Sequence, residues 1–275
     1  MRKKALKIAA LVIAIGLIIG IALLANSLNG NPISRILAEN AADVYLEEHF
    51  PNTDYYIEQV GFSFKFTGYY AHVRSETSID TQFTLHIDMV GNVFFDTYED
   101  VLLGSTTARR LEQEYRELTD QILNHPAFPY PSDIGFGTLE IYPQEALEDP
   151  NVNDIPDYAL IQQELVLDQI YDIRELGKQS GHLIVYVESN TITFEQAAHI
   201  MLDIRSEFDS ANVPFRAMDF VLQHPLPAEG PRPDEEIRVE HFPYEQIYEE
   251  NMAERIKIAS DELKAHYSQL DALKK

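Results

Sequence analysis

The spacing of apolar and polar residues changes several times along the chain, and each change predicts a different element. Ile8 to Ala25 (IAALVIAIGLIIGIALLA) is apolar throughout, without a charge over eighteen positions. At ~1.5 Å per residue such a helix is about 27 Å long, close to the ~30 Å hydrocarbon thickness of a bilayer. Asn29-Gly30-Asn31-Pro32 breaks the run. From Ile33 to His49 the positions Ile36, Leu37, Ala41, Val44 and Tyr45 recur at helical spacing, with Glu39, Asn40, Asp43 and Glu47 opposite. From Tyr55 to Thr67 the period falls to two, with Tyr56, Val60, Phe62, Phe64 and Phe66 on one face and Gln59, Ser63, Lys65 and Thr67 on the other. Thr67-Gly68 turns the chain back, and strands over Tyr69 to Ser75, Ile79 to Asp88 and Val93 to Thr97 complete an antiparallel meander. A helix from Thr106 to Asn124 carries Leu111, Tyr115, Leu118 and Ile122 on one stripe and is expected to cover the meander's oily face.

The second half alternates strands with helices. The pattern predicts a strand over Gly137 to Tyr142, an acidic loop over Glu148 to Asp157, a helix over Tyr158 to Leu176 and a strand over His182 to Glu188. A helix from Phe194 to Ala211 opened by Thr193, a strand from Phe215 to Gln223, a proline-rich connector, a strand near Ile237 to Phe242 and a helix from Tyr244 almost to Lys275 follow. In that last helix Met252, Ile256, Ala259, Leu263, His266, Leu270 and Leu273 form a seam through which two chains could pair. With about three heptads, and Ala259 and His266 among them, packing against its own domain is the preferred reading. The expected fold class is α+β. Residues 1–31 form a cytoplasmic tip and transmembrane helix. Residues 32–126 form a helix-meander-helix domain, cystatin-like in style. Residues 127–275 form a small α/β sandwich, ferredoxin-like in style, with a C-terminal helix.

Charge sets the topology. Arg2, Lys3, Lys4 and Lys7 precede the apolar run and no basic residue follows it until Arg35, so the positive-inside rule puts the N-terminus in the cytoplasm and the rest outside. The run is longer than the about 7 to 15 residues of a cleavable signal, and Leu23-Leu24-Ala25 is a poor small-x-small cleavage site, which favours an uncleaved anchor. Four of the 21 basic residues lie in that flank, leaving 17 against 45 acidic ones outside. Nucleic acid and anionic headgroups are therefore disfavoured partners, and an acidic surface that keeps an exported protein soluble is the plain reading. With no cysteine, disulfides, thiol catalysis, cysteine metal sites and lipid-modified cysteine are all excluded. That suggests a Gram-positive surface, where disulfides are not relied on.

The segment AENAADVYLEEHFPNTDYYIEQVGFSFKFTGYYAHVRSETSIDTQFTLHIDMVGNVFFDTYED resembles the N-terminal domain of the YfjL-like family, small single-anchor proteins of Gram-positive bacteria. The resemblance covers about a quarter of the chain. It implies a cell-surface protein whose anchored first domain is followed by a further α/β domain, and it offers no catalytic residues to carry over.

The chemistry-bearing residues form no complete motif. HExxH, GxSxG, GxGxxG and GxxxxGKS do not occur. Glu195, His199 and Asp203 share one helical face and could bind a metal, but they also make up the polar face opposite Phe194, Ala198, Met201 and Phe208. Asp149, Asn151 and Asn153 place oxygens at alternate positions, with Asp154 and Asp157 in the same turn, a weak calcium candidate outside a cell. Asp154 stands where an EF-hand needs Gly and Leu160 where it needs Glu, so an ordinary acidic turn is preferred. The polar patch from Arg74 to Asp80 reads as a hairpin connection. No cofactor is called for. The function expected is a non-catalytic binding module at the cell surface, held in the membrane through residues 8–25 and engaging an envelope protein or peptide. The alternative is a carboxylate-based hydrolase of cell-envelope polymer, which requires two converging acids with one pKa raised.

Overall fold

The computed structural model describes residues 11–18, 20–21, 30–130, 132, 134–149, 152 and 155–273. Residues 11–18 and 20–21 are helical. The two ends of the expected anchor lie outside the described residues, and among the described residues no helix is long and apolar enough to cross a membrane. The chain divides into two compact units, Met1–Thr106 and Thr107–Lys275.

In the first unit helix α1 (Pro32–His49) lies on a four-stranded antiparallel sheet in the order β1 (Tyr55–Ser63), β2 (Gly68–Ser75), β3 (Gln82–Ile87), β4 (Val93–Asp96). The expected meander is present. Asn31 caps α1, its side-chain oxygen accepting from the Ser34 amide, and Pro32 fits the first turn, where its missing N–H costs nothing. The buried stripe differs from expectation: Ser34, Ala38, Ala42 and Leu46 face the sheet, whereas Ile36, Leu37 and Val44 are exposed. Small residues let the helix approach Tyr69, Ala71, Leu85 and Ile87 closely, and the larger side chains are left outside. A register shift between Ile57 and Gln59 corrects the β1 face as well. Tyr55 and Ile57, not Tyr56, join Val60 and Phe62 against the core, because the extra residue inverts the alternation. Strand β1 then stops at Ser63, so Phe64 and Phe66 stand exposed in the turn. Short helix α2 (Tyr98–Leu102) follows β4.

Helix α3 (Ser105–Leu123), expected over the meander, belongs to the second unit instead. Its Leu111 and Tyr115 are fully buried with Leu139, Leu183 and Phe208. The second unit's main sheet has the order β10 (Glu236–Pro243), β9 (Ala217–Gln223), β8 (Gly181–Glu188), β5 (Ile134–Leu139). Strands β8 and β9 are adjacent and parallel, joined through helix α6 (Phe194–Ser210), while the outer pairs are antiparallel. The α/β layering is as expected, but the ferredoxin-like arrangement is not. That fold splits its βαβ unit with a strand between the parallel pair, and here nothing intervenes. Helix α6 is capped by Thr193 as the sequence indicates.

The helix expected over Tyr158 to Leu176 is also corrected. Leu160–Ile161 (β7) pairs in parallel with Ile141–Tyr142 (β6), a single 3-10 turn covers Gln162–Glu164, and only Ile173–Ser180 is helical (α5). Asp168 takes a left-handed φ of 61° that no helix interior accommodates, and Asp172 caps α5 by accepting from the Arg174 and Glu175 amides. Short helix α4 (Gln144–Glu148) lies between β6 and β7. In the C-terminal helix α7 (Met252–Leu273), Met252 and Ile256 are buried in the second unit's own core and Ala259 packs against it, the preferred reading of that seam.

Tyr115 fixes the geometry at the start of β8. Its hydroxyl donates to the Pro214 carbonyl at 2.9 Å and its ring lies over Gly177 and Gly181, where an added Cβ would come within 2.5 Å of Tyr115 atoms at either position. At Gly181 the Cβ would also sit 2.3 Å from the Gly177 carbonyl oxygen, which cannot swing away. We expect Gly181→Ala to destabilise the protein by about 1–3 kcal/mol or more through overpacking, and Tyr115→Phe by about 1 kcal/mol through the lost hydrogen bond, both read from urea denaturation.

Candidate functional site

Strand alternation puts Leu183 and Val185 of β8 and Met218 and Phe220 of β9 into the helix-covered core. His182 and Asp219 therefore point to the opposite face. They meet there: His182 Nε2 donates to Asp219 Oδ1 at 2.7 Å. Between β5 and β6 the ladder is interrupted at Glu140, whose amide bonds the Ser180 carbonyl and whose own carbonyl accepts from Leu160. Its carboxylate accepts a short hydrogen bond from His182 Nδ1. Glu140 and His182 are 6% and 4% exposed, so this ion pair is removed from solvent.

The fourth member arrives through an irregularity. Between Val239 and Phe242 the pairing of β10 with β9 shifts, and His241 in that bulge adopts φ 48°. A left-handed conformation costs a non-glycine residue about 1–3 kcal/mol and recurs at functional sites. It lets the His241 amide donate to Asp219 Oδ1 at 2.7 Å, and it brings the ring to 4.6 Å, centroid to centroid, from that of His182. The Tyr158 hydroxyl pairs with His241 Nδ1 at 2.9 Å. One ligand-capable atom from each of Glu140, His182 and His241 lies within 4.8 Å of the other two. His241 and Tyr158 also line an open cleft of about 500 Å³ together with Arg216, Glu240, Leu263 and His266.

The electrostatics follow from this packing. Burial works against a charge on His182, but the hydrogen bonds and negative charges of Asp219 and Glu140 outweigh it and push the imidazole up to about 9. Burial likewise opposes ionisation of both carboxylates, yet the His182 hydrogen bond and charge hold each below its ordinary range, with Tyr142 adding a hydrogen bond to Glu140. Burial pushes the Tyr158 hydroxyl up, and the charges of Glu140 and Asp219 add to this. Glu112 of α3 is moved the other way from Glu140: burial raises its carboxyl despite Arg109 and Arg116. With both nitrogens of His182 donating, this arrangement can hold a proton between two carboxylates, or exchange that proton for a metal ion.

The candidates singled out from the sequence lie elsewhere. His199 and Asp203 approach to 3.7 Å on the solvent side of α6, where Asp203 also accepts from the Tyr130 hydroxyl, so they form a polar surface. Of the acidic turn, Asn151, Asn153 and Asp154 lie outside the described residues. Asp149 and Asp157 are exposed, and Asp157 lines the cleft. The Arg74 to Asp80 patch is a hairpin connection tied to Asp54, whose carboxylate accepts from the Ser75 hydroxyl and from the Thr77 amide and hydroxyl. The residues missed were Glu140, His182, Asp219 and His241. The available signal was a charged or imidazole side chain inside apolar strands, as in Leu139-Glu140-Ile141 and Met218-Asp219-Phe220.

These shifts predict how the metal-free protein responds to pH. His182 should titrate near 9 by NMR, and its contribution to stability should be complete below its ordinary 6.5 and disappear as the pH rises through about 9. Glu140 and Asp219 act in the opposite sense, contributing above the ordinary carboxylate range and losing that contribution as the pH falls through their lowered values. In Asp219→Asn the His182 titration should move back toward 6.5, and an unchanged midpoint would show that the carboxylate does not hold the charge.

The second unit is the part for which the comparison with known families is broadest. The model of the YfjL-like C-terminal domain matches residues 114–257 and takes in Glu140, His182, Asp219 and His241. The model of the YfjL-like N-terminal domain matches residues 3–97. No curated protein and no solved structure matches the chain. With both models in chain order and the second alone spanning more than half the residues, the chain belongs to the YfjL-like family.

Proposed function

We propose that this protein is a membrane-anchored, extracytoplasmic binding module, held by residues 8–25 with its N-terminus in the cytoplasm, and that its first unit rests on the outer surface of the bilayer. The observation that carries this reading is a group of exposed apolar side chains at one end of the first sheet. The chain leaves the apolar run at Gly30 and Asn31, and the Asn31 backbone is bonded on both sides to the Tyr69 hydroxyl, at 3.0 and 2.9 Å. Gly91, in the β3–β4 turn, packs against Leu37 of the same end of α1. Both hairpin turns of the meander, 63–68 and 88–92, are thus at the end of the sheet that holds Gly30 and Asn31. Exposed at that end are Ile33, Ile36, Phe64, Phe66, Val90 and Phe94.

Phe66 is 68% exposed and Val90 is equally so. Large apolar side chains crowded at one end of an otherwise acidic protein mark a surface that is covered, and a bilayer lies within reach of the chain at that point. Arg35 and Lys65 at this end suit a headgroup layer, while the acidic remainder disfavours flat electrostatic adsorption. The cleft bounded by Tyr158 and His241 is the place for a ligand, an envelope protein or a peptide being the partners in view. One observation favours hydrolysis as a second reading: Glu112 and Glu140 are carboxyls whose environments push their pKa values apart, as an acid–base pair requires.

The protein has no tryptophan, so a single introduced one reports depth without interference. In vesicles carrying the full-length chain, Phe66→Trp should emit to the blue of a water-exposed indole and be quenched by brominated lipid, whereas Tyr56→Trp, exposed at the opposite end of β1, should not be quenched. Water-like emission from Phe66→Trp would overturn the seated first unit. If Glu112→Gln and Glu140→Gln each abolish turnover of an isolated wall polymer that the unaltered protein degrades, the hydrolase reading replaces the non-catalytic one.

A further inference from the structure

We propose that Glu140, His182 and His241 bind one zinc-class divalent cation, which takes the place of the proton on His182 Nδ1. This goes beyond the anchored-module reading and stands independently of it. The donor set is two imidazoles and one carboxylate, a combination that suits zinc and its neighbours rather than calcium or magnesium, and one that leaves a coordination position open. The three donor atoms already lie within 4.8 Å of one another. Around a tetrahedral ion with ~2.1 Å bonds they would stand about 3.4 Å apart, so Glu140 and His182 must open from their short hydrogen bond while His241 closes in, adjustments that side-chain rotation can supply.

The orientation of the two rings is the stronger argument. A ligating histidine almost always donates its other N–H to a carboxylate, a carbonyl or water, which fixes the tautomer and turns the free nitrogen to the metal. His182 is held in that way by a carboxylate, and His241 has a hydroxyl partner at its Nδ1. Asp219 takes His182 Nε2 at 2.7 Å, so Nδ1 is the ligand atom; the Tyr158 hydroxyl pairs with His241 Nδ1 at 2.9 Å, and metal binding requires the tautomer in which Nδ1 donates to that hydroxyl and Nε2 is the ligand atom. Asp219 also accepts the His241 amide, tying the second ligand's backbone to the group that orients the first.

The rival is a purely structural ion triad, a cationic His182 between Asp219 and Glu140. It accounts for three of the four residues. It does not account for a histidine held at φ 48° in a bulge, with its ring turned toward His182 and fixed from behind by Tyr158. If only the triad mattered, Asn or Gly at 241 would supply the same amide to Asp219 without the strain. His241 belongs to both the donor set and the cleft wall, so the metal's remaining position is within reach of a molecule in the cleft. Binding exchanges one proton for the cation, and that proton goes to solvent.

The test uses the full-length protein in detergent, stripped with chelator and titrated with zinc by calorimetry, with cobalt as a spectroscopic substitute. We expect one zinc per chain, and for the cobalt form the intense visible absorption of a four-coordinate site. His241→Asn keeps the left-handed backbone and the Asp219 hydrogen bond, so it should fold while losing about 100-fold or more in affinity. Asp219→Asn should lose about 10–100-fold as an orienting residue. His199→Ala should bind as the unaltered protein does. Substoichiometric zinc in the unaltered protein, or His241→Asn binding as tightly as it, would overturn the proposal. A loss in His199→Ala alone would move the metal to the surface of α6 and overturn it equally.

Discussion

The second unit depends on the close approach of Tyr115 to a chain that has no side chain in the way. Gly177 and Gly181 lie four apart, one within α5 and one opening β8, and the buried ring occupies the space that a Cβ at either would fill. Its hydroxyl reaches the Pro214 carbonyl, two residues before Arg216, whose amide bonds the Gly181 carbonyl. One aromatic residue of α3 therefore holds the beginnings of the two parallel strands side by side. The next residue along β8 is His182, and Asp219 follows shortly on β9. The register that lets these two side chains meet is set by packing on the far face of the sheet.

On the near face, the site is assembled by departures from regularity. The ladder breaks at Glu140 between β5 and β6, and β10 bulges at His241. An unbroken β10 would keep strict alternation through Val239, whereas the one extra residue, with Glu240 and His241 opposite Asp219 alone, turns a histidine toward a neighbour on another strand. A buried carboxylate and a buried imidazolium are each costly alone, and the pairing of His182 with both Asp219 and Glu140 offsets that cost. The strained φ at 241 is held by the hydrogen bonds its amide and ring make to Asp219 and Tyr158.

The first unit follows the opposite logic, regular in its strands and unusual in its surface. Alanines of α1 lie against the sheet, and the larger residues Ile33, Ile36, Leu37 and Val44 face outward. Close helix–sheet packing and an apolar outer surface are thus two consequences of one choice of helix face. Inside, Phe50, Tyr55, Phe83 and Tyr98 pack in tilted and edge-to-face pairs at 4.8 to 6.2 Å between ring centroids. The Tyr45 hydroxyl, bonded to Asp96, is pushed up to about 12 by burial and by that carboxylate.

The sequence by itself determined the elements whose signal is local. The strands β2 and β3, the Thr193 cap and the apolar faces of α3 and α6 all appear as expected, because each depends on neighbours within a turn or a hairpin. The family was legible from the same stretch. Tertiary structure alone decided what depends on distant partners. Helix α3 joined the second core because Leu139, Leu183 and the glycines of α5 and β8 offered its stripe a better fit. Leu160–Ile161 became a strand because Ile141–Tyr142 was there to pair with it. The bulge at Glu58 reversed the expected face at the start of β1, since one extra residue inverts a period-two pattern without altering composition, and the bulge at His241 had no local signal either. The site was hidden because Glu140, at the break between β5 and β6, and His182, Asp219 and His241, on three strands, are spread over about a hundred residues, and only the sheet brings them together.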